Sequence, residues 1–202
     1  MAKKTVKTKT KDRLQTEAEL LNAAEKIFSK FGFKGATTRL IAKEANFNPA
    51  LINRYFNGKY GLLIALIENK SKRAHNPDYP DQETLQEEIK SYAEFFFDNM
   101  TEDINLFKIV IGQFMVDAKF LKRFRNLINT VCENTQIEYR LERFIKSGQL
   151  RDKTHIEEIV NSVENMAFGT VISEIIVRDR PRLEARNEFS KFLHDYVQIF
   201  KP

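Results

Sequence analysis

The 202-residue sequence has no tryptophan, one cysteine, five prolines and seven glycines. Because Cys132 is the only cysteine, no internal disulfide can form, which suits a reducing compartment. No run of about 18 apolar residues occurs, so the sequence predicts no membrane-spanning helix. The first residues, MAKKTVKTKTKDR, lack the apolar stretch of a secretory signal. We therefore expect a cytoplasmic protein.

Residues that carry catalytic or metal chemistry do not form recognisable groups. The histidines, His75, His155 and His194, lie far apart, and none has another histidine or cysteine at metal-ligand spacing. No glycine-rich loop that could cradle a phosphate is found. Acidic pairs such as Glu157–Glu158 are typical of solvated helix faces. We predict no metal site, no cofactor and no enzymatic activity.

Charge is unevenly distributed along the chain. Residues 1–73 contain 16 basic and 6 acidic residues, a net charge of +10, whereas the remainder contains 17 basic and 22 acidic residues, a net charge of −5. This asymmetry indicates that the front of the chain meets a polyanion. The alternative is a basic tail on an ordinary surface. The segment RAHNPDYPDQ, residues 73–82, holds two prolines and is the predicted linker.

Apolar residues recur at spacings of three and four nearly throughout the chain, which predicts helices. No convincing alternation of apolar and polar residues indicates a strand, so an all-α fold follows. The predicted helices cover residues 14–32, 38–45, 49–56, 59–72, 82–99, 104–115, 119–146 and 154–177, with a last one after the RDRP segment.

The stretch NFNPALINRYF, residues 46–56, predicts an unusually short helix. Asn48 followed by Pro49 is typical of an N-cap with proline at the first helical position. The preceding helix ends near Ala45, so a short turn separates the two. This arrangement is a helix-turn-helix, whose second helix can enter the major groove of DNA.

The faces of this short helix follow from its geometry. If Ile52 points inward and each residue turns about 100°, Ala50, Leu51, Asn53 and Arg54 point outward. An arginine can donate two hydrogen bonds to guanine, and an asparagine can read adenine or bind phosphate. The alternative is a solvated helical turn with one incidental arginine.

Residues 14–66 resemble the DNA-binding domain of the TetR family of transcriptional regulators. The resemblance rests on AAEKIFSKFGFKGATTRLIAKEANFN and YFNGKYGLL, in that order and spacing. It implies phosphate contacts from Thr37, Arg39 and Lys59. Asn53 departs from the family, which often has a tyrosine that touches phosphate there. The implied DNA-binding residues are Thr37, Thr38, Arg39, Asn48, Pro49, Ala50, Leu51, Asn53, Arg54, Tyr55 and Lys59.

In the back half, IKSGQLRD before a long helix resembles the turn that precedes the last two helices of the family. In the family these helices pair across a two-fold axis, which implies a homodimer. The candidate interface residues are Val163, Ala167, Thr170, Val171, Phe189, Phe192 and Tyr196. Family members usually bind a small molecule between the middle helices. An apolar or aromatic effector is expected, and its candidate lining residues are Phe96, Met100, Phe107, Ile111, Phe114, Met115, Phe124, Ile128 and Met166.

These observations predict three segments: a basic flexible arm over residues 1–12, a helix-turn-helix DNA-binding domain over residues 13–73, and a helical ligand-binding and dimerisation domain over residues 74–202. The arm could track phosphates or remain a solvated tail. The predicted function is a ligand-responsive, sequence-specific repressor of the TetR type that binds a palindromic double-stranded operator. The alternative is a helical small-molecule carrier or interaction protein that no longer reads DNA.

Overall fold

The computed structural model of the protein describes residues 4–74, 76–131 and 136–199. All regular elements in these ranges are helices, which confirms the predicted all-α class. In chain order they are α1 (Lys4–Gly35), α2 (Thr38–Glu44), α3 (Ala50–Phe56), α4 (Lys59–Ala74), α5 (Leu85–Thr101), α6 (Ile104–Val116), α7 (Ala118–Val131), α8 (Gln136–Lys146), α9 (Lys153–Thr170), its π-helical continuation (Val171–Val177) and α10 (Arg182–Gln198).

The chain forms two compact units. Unit 1 consists of Met1–Asn69 and Asp103–Leu127, and unit 2 of Lys70–Glu102 and Ile128–Pro202. Helices α6 and most of α7 therefore belong with the helix-turn-helix, although the sequence suggested a single division near residue 74. The reason is that periodicity reveals an apolar face but not the helix that covers it.

Unit 1 has a continuous apolar core to which the helices on both sides of the unit 2 segment contribute. Helix α1 packs against α2 and α6. Leu106 of α6 and Phe120 of α7 are buried in the same cluster as the helix-turn-helix side chains. The other large members of this core are Leu20, Ile27, Phe28, Phe33, Ile41, Ile52, Leu62, Leu63, Leu66 and Ile67.

Helix α1 differs from the prediction at both ends. It begins at Lys4 rather than near Leu14, so its backbone runs through much of the predicted flexible arm. Gly32 interrupts it with φ 66° and ψ 174°, where the sequence predicted a terminal glycine, and a last turn follows to Gly35. The positive φ explains why glycine stands at the kink.

Two aspartates fasten α6 within unit 1. The Asp103 carboxylate caps α6 by accepting a hydrogen bond from the Leu106 N–H at 2.9 Å, and it also accepts one from the Ser29 hydroxyl of α1. At the other end, Asp117 Oδ2 accepts a hydrogen bond from the Tyr60 hydroxyl of α4 at 2.7 Å. The orientation of α6 is thus tied to both α1 and α4.

Unit 2 is built around α5, which packs against α8, α9 and α10. Thr84 and Glu87 form a capping box that starts α5 at the predicted place, within a few residues. The rings of Phe97 and Phe189 stack with centroids 5.0 Å apart and join α5 to α10. Both side chains are buried.

A buried carboxylate fixes the predicted linker to unit 2. Glu88 is fully buried and accepts hydrogen bonds from Arg140 Nε at 2.7 Å, from Arg143 and from the Tyr79 hydroxyl at 3.0 Å. Arg140 also donates to the Tyr79 carbonyl at 3.1 Å, and Arg143 donates to the Gln82 carbonyl at 2.6 Å. Burial, reinforced by the Glu88 carboxylate, raises the pKa of Tyr79, so its hydroxyl stays a donor. Residues 79–82 are therefore part of the unit rather than a free tether.

Candidate nucleic-acid interface

The short helix α3 starts as the sequence predicts. Asn48 Oδ1 accepts a hydrogen bond from the Ala50 N–H at 2.8 Å, which is the bond of an N-cap side chain. Pro49 has helical angles, φ −54° and ψ −25°, although the regular helix begins one residue later at Ala50. Proline lacks an N–H, so its place at the first position leaves no donor unsatisfied.

The two faces of α3 separate as predicted, with one exception. Ile52 is fully buried in the core of unit 1, and Ala50, Asn53 and Arg54 are exposed. Leu51, which the sequence placed on the outward face, is half-buried and packs against the core. Its position at the flank of the helix, about 100° from Ile52, lets a long apolar side chain lean inward.

Helix α3 ends at a close contact with α4. Asn57 takes the left-handed conformation, with φ 56°, and its N–H donates to the Asn53 carbonyl at 3.0 Å. Gly58 follows with φ 94°. A Cβ atom on Gly61 would lie 1.6 Å from the Phe56 carbonyl oxygen. Only glycine permits α4 to start this close to the last turn of α3.

Helix α2 directly precedes α3 in the chain, and the predicted phosphate contacts of Thr37 and Arg39 lie at its start. Thr37 is exposed, and its Oγ1 accepts a hydrogen bond from the Leu40 N–H at 3.1 Å, so it is the N-cap of α2. The hydroxyl can still donate its proton to a phosphate oxygen. Thr38 is half-buried and Arg39 is exposed.

Lys59 occupies a position that the sequence did not reveal. Its Nζ donates to the Phe33 carbonyl at 2.7 Å and to the Ala36 carbonyl at 2.9 Å, and it lies 4.3 Å from the Phe33 ring centroid. Burial lowers the pKa of this ammonium. Two of its three N–H donors thus satisfy carbonyls at the end of α1, and its phosphate contact stays a prediction.

Tyr55 is flanked by two arginines. The guanidinium carbon of Arg54 lies 5.8 Å from the Tyr55 ring centroid, and that of Arg13 lies 5.2 Å from it. Arg13 also pairs with Glu17 at 2.8 Å. The sequence placed Arg13 at the first position of the helix-turn-helix domain, and its proximity to α3 depends on how α1 packs. Arg39 and Arg54 are exposed and give unit 1 positive surface charge, and Arg13 is exposed beside Tyr55 with its charge partly offset by Glu17.

The family model described as "Bacterial regulatory proteins, tetR family" matches residues 20–66, which run from within α1 into α4. The probable HTH-type transcriptional regulator YttP of Bacillus subtilis (strain 168) is 25% identical over 128 residues, which are 54% of this chain and 62% of YttP. The uncharacterized HTH-type transcriptional regulator YhgD of the same organism is 28% identical over 140 residues, 65% of this chain and 70% of YhgD. The helix-turn-helix part of the chain therefore matches the TetR family.

A solved TetR-like structure shows that the likeness in fold extends beyond the family model. The transcriptional regulator FadR from Bacillus subtilis, in complex with stearoyl-CoA, has a TM-score of 0.59 and 18% sequence identity, covering 87% of this chain and 96% of that one. The match to YttP spans less than two thirds of that relative. The shared fold includes the back half of the chain, where the sequence resemblance is weakest.

The candidate effector residues divide between the two units. Phe107, Ile111, Phe114, Met115 and Phe124 belong to unit 1. The rings of Phe114 and Phe124 lie 4.3 Å apart and pack against the core, and Met115 is 81% exposed.

The remaining effector candidates belong to unit 2. Phe96 and Met100 of α5 and Met166 of α9 are half-buried. The side chain of Ile128 lies outside the described part of the structure.

Most of the candidate dimer residues lie inside unit 2. Val163, Ala167, Thr170, Val171 and Phe189 are buried within the protomer, because the stripe they form covers the core of unit 2 itself. They therefore do not present a surface.

The exposed apolar side chains near the end of the chain are mostly not those that the sequence assigned to the dimer interface. Tyr196 is half-buried, and Phe192 of α10 is 55% exposed. Phe168 of α9 is 42% exposed and Ile199 is 68% exposed.

Within residues 4–74, 76–131 and 136–199, no group of three histidine, cysteine, aspartate or glutamate side chains is arranged to hold a metal ion. None of the helices in this part of the chain is long and apolar enough to cross a membrane. Cys132 and His75 lie outside the described residues.

We expect Gly61→Ala to unfold or distort the helix-turn-helix, because the new methyl group would overlap the Phe56 carbonyl. The loss of stability should be roughly 3 kcal/mol or more, measured by urea unfolding. Gly112→Ala in α6 is the matched control, since a Cβ there meets nothing within 4 Å. That variant should be unchanged or stabilised by up to about 1 kcal/mol. Equal stability of the two variants would contradict the close approach.

Proposed function

We propose that this TetR-family protein is a dimeric, ligand-responsive regulator that binds a palindromic operator and represses transcription. The observation that carries the proposal is the exposed face of α3. Ala50, Asn53 and Arg54 point away from the core on a helix that Asn48 caps and Ile52 anchors. A rigid helix with an outward arginine suits insertion into the major groove.

Base reading falls to the exposed side chains of α3 in this proposal. Arg54 donates two hydrogen bonds to guanine, the small Ala50 permits close approach to base edges, and Asn53 reads adenine or binds phosphate. The half-buried Leu51 offers its remaining surface to a thymine methyl group. Pro49 keeps the first turn of the helix in position.

Phosphate contacts fix the orientation of the helix on the duplex. Thr37, Thr38 and Arg39 contribute from the start of α2, and Tyr55 from the end of α3. Lys59 contributes its remaining N–H. These contacts carry no sequence information, so their loss weakens binding to all sequences alike.

We expect Arg54→Ala to weaken binding to the selected operator by about 1–3 kcal/mol and to relax the preference at one base pair in each half-site. The operator is obtained by selecting bound duplexes from a randomised library, and affinities are measured by fluorescence anisotropy. Arg54→Lys should lose the base preference while keeping the salt dependence, because lysine retains the charge but not the planar fork.

Arg39→Ala serves as the phosphate control, with uniform weakening across sequences. An unchanged site preference in Arg54→Ala would show that Arg54 does not read a base. Failure of the folded wild-type protein to select any sequence over a range of salt concentrations would reject the proposed function. That result would instead favour a helical carrier that no longer reads DNA, the alternative that Asn53 and Leu51 keep open.

Dimerisation is proposed through the exposed apolar side chains of α9 and α10. Phe168 and Phe192 offer aromatic surface on the helices that pair in the family, and Ile199 adds aliphatic surface directly after α10. Large aromatic side chains commonly dominate the energy of such interfaces. A dimer binds two half-sites related by two-fold symmetry, which agrees with a palindromic operator.

We expect Phe192→Glu to raise the dimer dissociation constant by at least about 30-fold, because it places a charge in an apolar contact. Sedimentation equilibrium measures the change. Tyr139→Glu on α8 is the matched control, since it also puts a carboxylate in place of an exposed aromatic ring. If the wild-type protein is a monomer, or if the two variants have equal dimer dissociation constants, the proposed interface is wrong.

An apolar effector is proposed to bind against half-buried side chains of unit 2. Phe96 and Met100 lie on α5 and Met166 on α9, and these two helices pack together. Methionine adapts to ligands of different shapes. An effector that binds the DNA-free state more tightly would shift the population away from the operator. The fold shared with the stearoyl-CoA complex of FadR suggests long-chain acyl compounds as probes.

We expect acyl-CoA probes to raise the unfolding midpoint and release the operator, with an effect that grows with chain length. Each methylene group that leaves water contributes about 0.8 kcal/mol, which explains the dependence. Differential scanning fluorimetry and anisotropy with C8 to C18 acyl-CoA measure both effects. Free coenzyme A is the control. An absence of chain-length dependence would exclude an acyl effector at this site.

A further inference from the structure

We propose that the exposed basic face of α7 is a second DNA contact, which binds backbone phosphates outside the bases that α3 reads. This basic face consists of Lys119, Lys122 and Arg123, with Arg125 beside it. The inference rests on the proposed function, because it takes DNA to be the ligand of unit 1. It assigns to α7 a role that neither the helix-turn-helix nor the effector proposal requires.

The first part of α7 is strongly basic and carries no opposing charge. Residues 118–127, AKFLKRFRNL, contain four basic residues and no acidic one. Lys119, Lys122, Arg123 and Arg125 are all exposed. Among the residues that the structure describes, none of these four side chains forms an ion pair. The Asp117 carboxylate offsets part of the Lys119 charge. The remaining positive charge, spread over about two helical turns, is self-repulsive, so a bound polyanion would stabilise it.

The basic face of α7 is the side of the helix that is free to bind a ligand. Phe120 is buried in the core of unit 1, and Phe124 and Leu127 pack against that core. At about 100° per residue, Lys122 points almost directly away from these three side chains. Lys119 and Arg125 lie about 60° to either side of Lys122, and Arg123 lies about 100° from it on the Lys119 side. A helix that binds a membrane surface inserts a free apolar face. The apolar face of α7 is already covered, so the charge pattern favours nucleic acid over lipid.

Two contacts place the first turn of α7 beside the first turn of α4. Tyr60, the second residue of α4, donates its hydroxyl proton to Asp117, and its ring centroid lies 6.4 Å from that of Phe120. Asp117 in turn caps α7 by accepting from the N–H groups of Lys119 at 2.9 Å and Phe120 at 3.0 Å.

Asp117 remains ionised while it makes these contacts. The Phe120 N–H and the Tyr60 hydroxyl lower the pKa of its carboxyl, so the cap persists at neutral pH. Because the start of α4 is proposed to approach the DNA backbone, the N-terminal end of the basic face lies on that side of unit 1.

The spacing of the cations suits a phosphate backbone. Lys119 and Arg123 are one helical turn apart, a rise of about 6 Å along the axis. Each strand of a duplex carries one phosphate for about every 3.4 Å of the duplex axis. Neighbouring side chains of the face can therefore reach successive phosphates, and flexible lysines adjust to their positions. Such contacts add affinity and salt dependence without changing the sequence that is selected.

The test replaces Lys119, Lys122 and Arg123 together with glutamine, which keeps helix propensity and removes three charges. The matched control carries Lys90→Gln, Lys146→Gln and Arg151→Gln, three exposed cations of unit 2. Anisotropy measures binding of both full-length variants to the selected operator, with and without ten flanking base pairs, over a series of salt concentrations. The salt slope is the slope of the logarithm of the binding constant against the logarithm of the salt concentration. For the α7 variant on the long duplex we expect its magnitude to fall by about 2–3, with unchanged site preference.

The control should keep the wild-type slope. If the α7 variant also keeps it, the inference is overturned while sequence selection by the wild-type protein still supports the proposed function. If the wild-type protein selects no sequence, both fail. Binding to phosphatidylglycerol vesicles that is lost only in the α7 variant, with an unchanged DNA slope, would assign the face to lipid instead. Should the triple variant not fold, Lys122→Gln alone must lower the slope by about one.

Discussion

The contact between the Phe56 carbonyl and the backbone at Gly61 is the constraint on which unit 1 depends. A helix of seven residues is marginal in water when it stands alone. Here α3 is stabilised because α4 begins directly against its last turn, at a distance that only glycine allows. Asn57 and Gly58 reverse the chain between the helices with positive φ angles. The recognition helix is therefore rigid although it is short, and its outer face can be devoted to contacts with a ligand.

Polar groups at helix ends hold the rest of unit 1 around this junction. Lys59 satisfies two carbonyls at the end of α1, and Tyr60 beside it contacts the cap of α7. Asp103 and Asp117 each cap a helix and also bind a side chain of another helix. Groups at helix ends lack partners within their own helix, so each of these contacts removes an unsatisfied donor or acceptor while it sets an orientation. The helix-turn-helix and α6 consequently form one body, so a change in the position of α6 would alter its contact with α4.

Unit 2 uses its charges differently. Glu88 is buried between Arg140 and Arg143, and this cluster binds residues 79–82 to α8. Detaching Arg140 or Arg143 would leave the buried Glu88 carboxylate unpaired, which is unfavourable. Because the same arginines bind carbonyl groups of residues 79–82, this proline-containing segment is held as a fixed part of the unit. The apolar stripes of α9 and α10 cover the core of unit 2, and the side chains left outside are few and large. The large side chains left outside are those on which the proposed dimer contact depends.

The sequence by itself determined the all-α class, the position of α3 and the faces of its central residues. These features depend on local spacing, on the Asn48–Pro49 cap and on the period of the helix, all of which are written in neighbouring residues. Only the tertiary structure decided four other features: the role of Lys59, the inward position of Leu51, the burial of Val163 and Phe189, and the hydrogen bond between Tyr60 and Asp117. Each of these features depends on which helices pack together across long sequence separations. The periodicity of apolar residues predicts that a helix face is apolar, but it does not predict which helix covers that face.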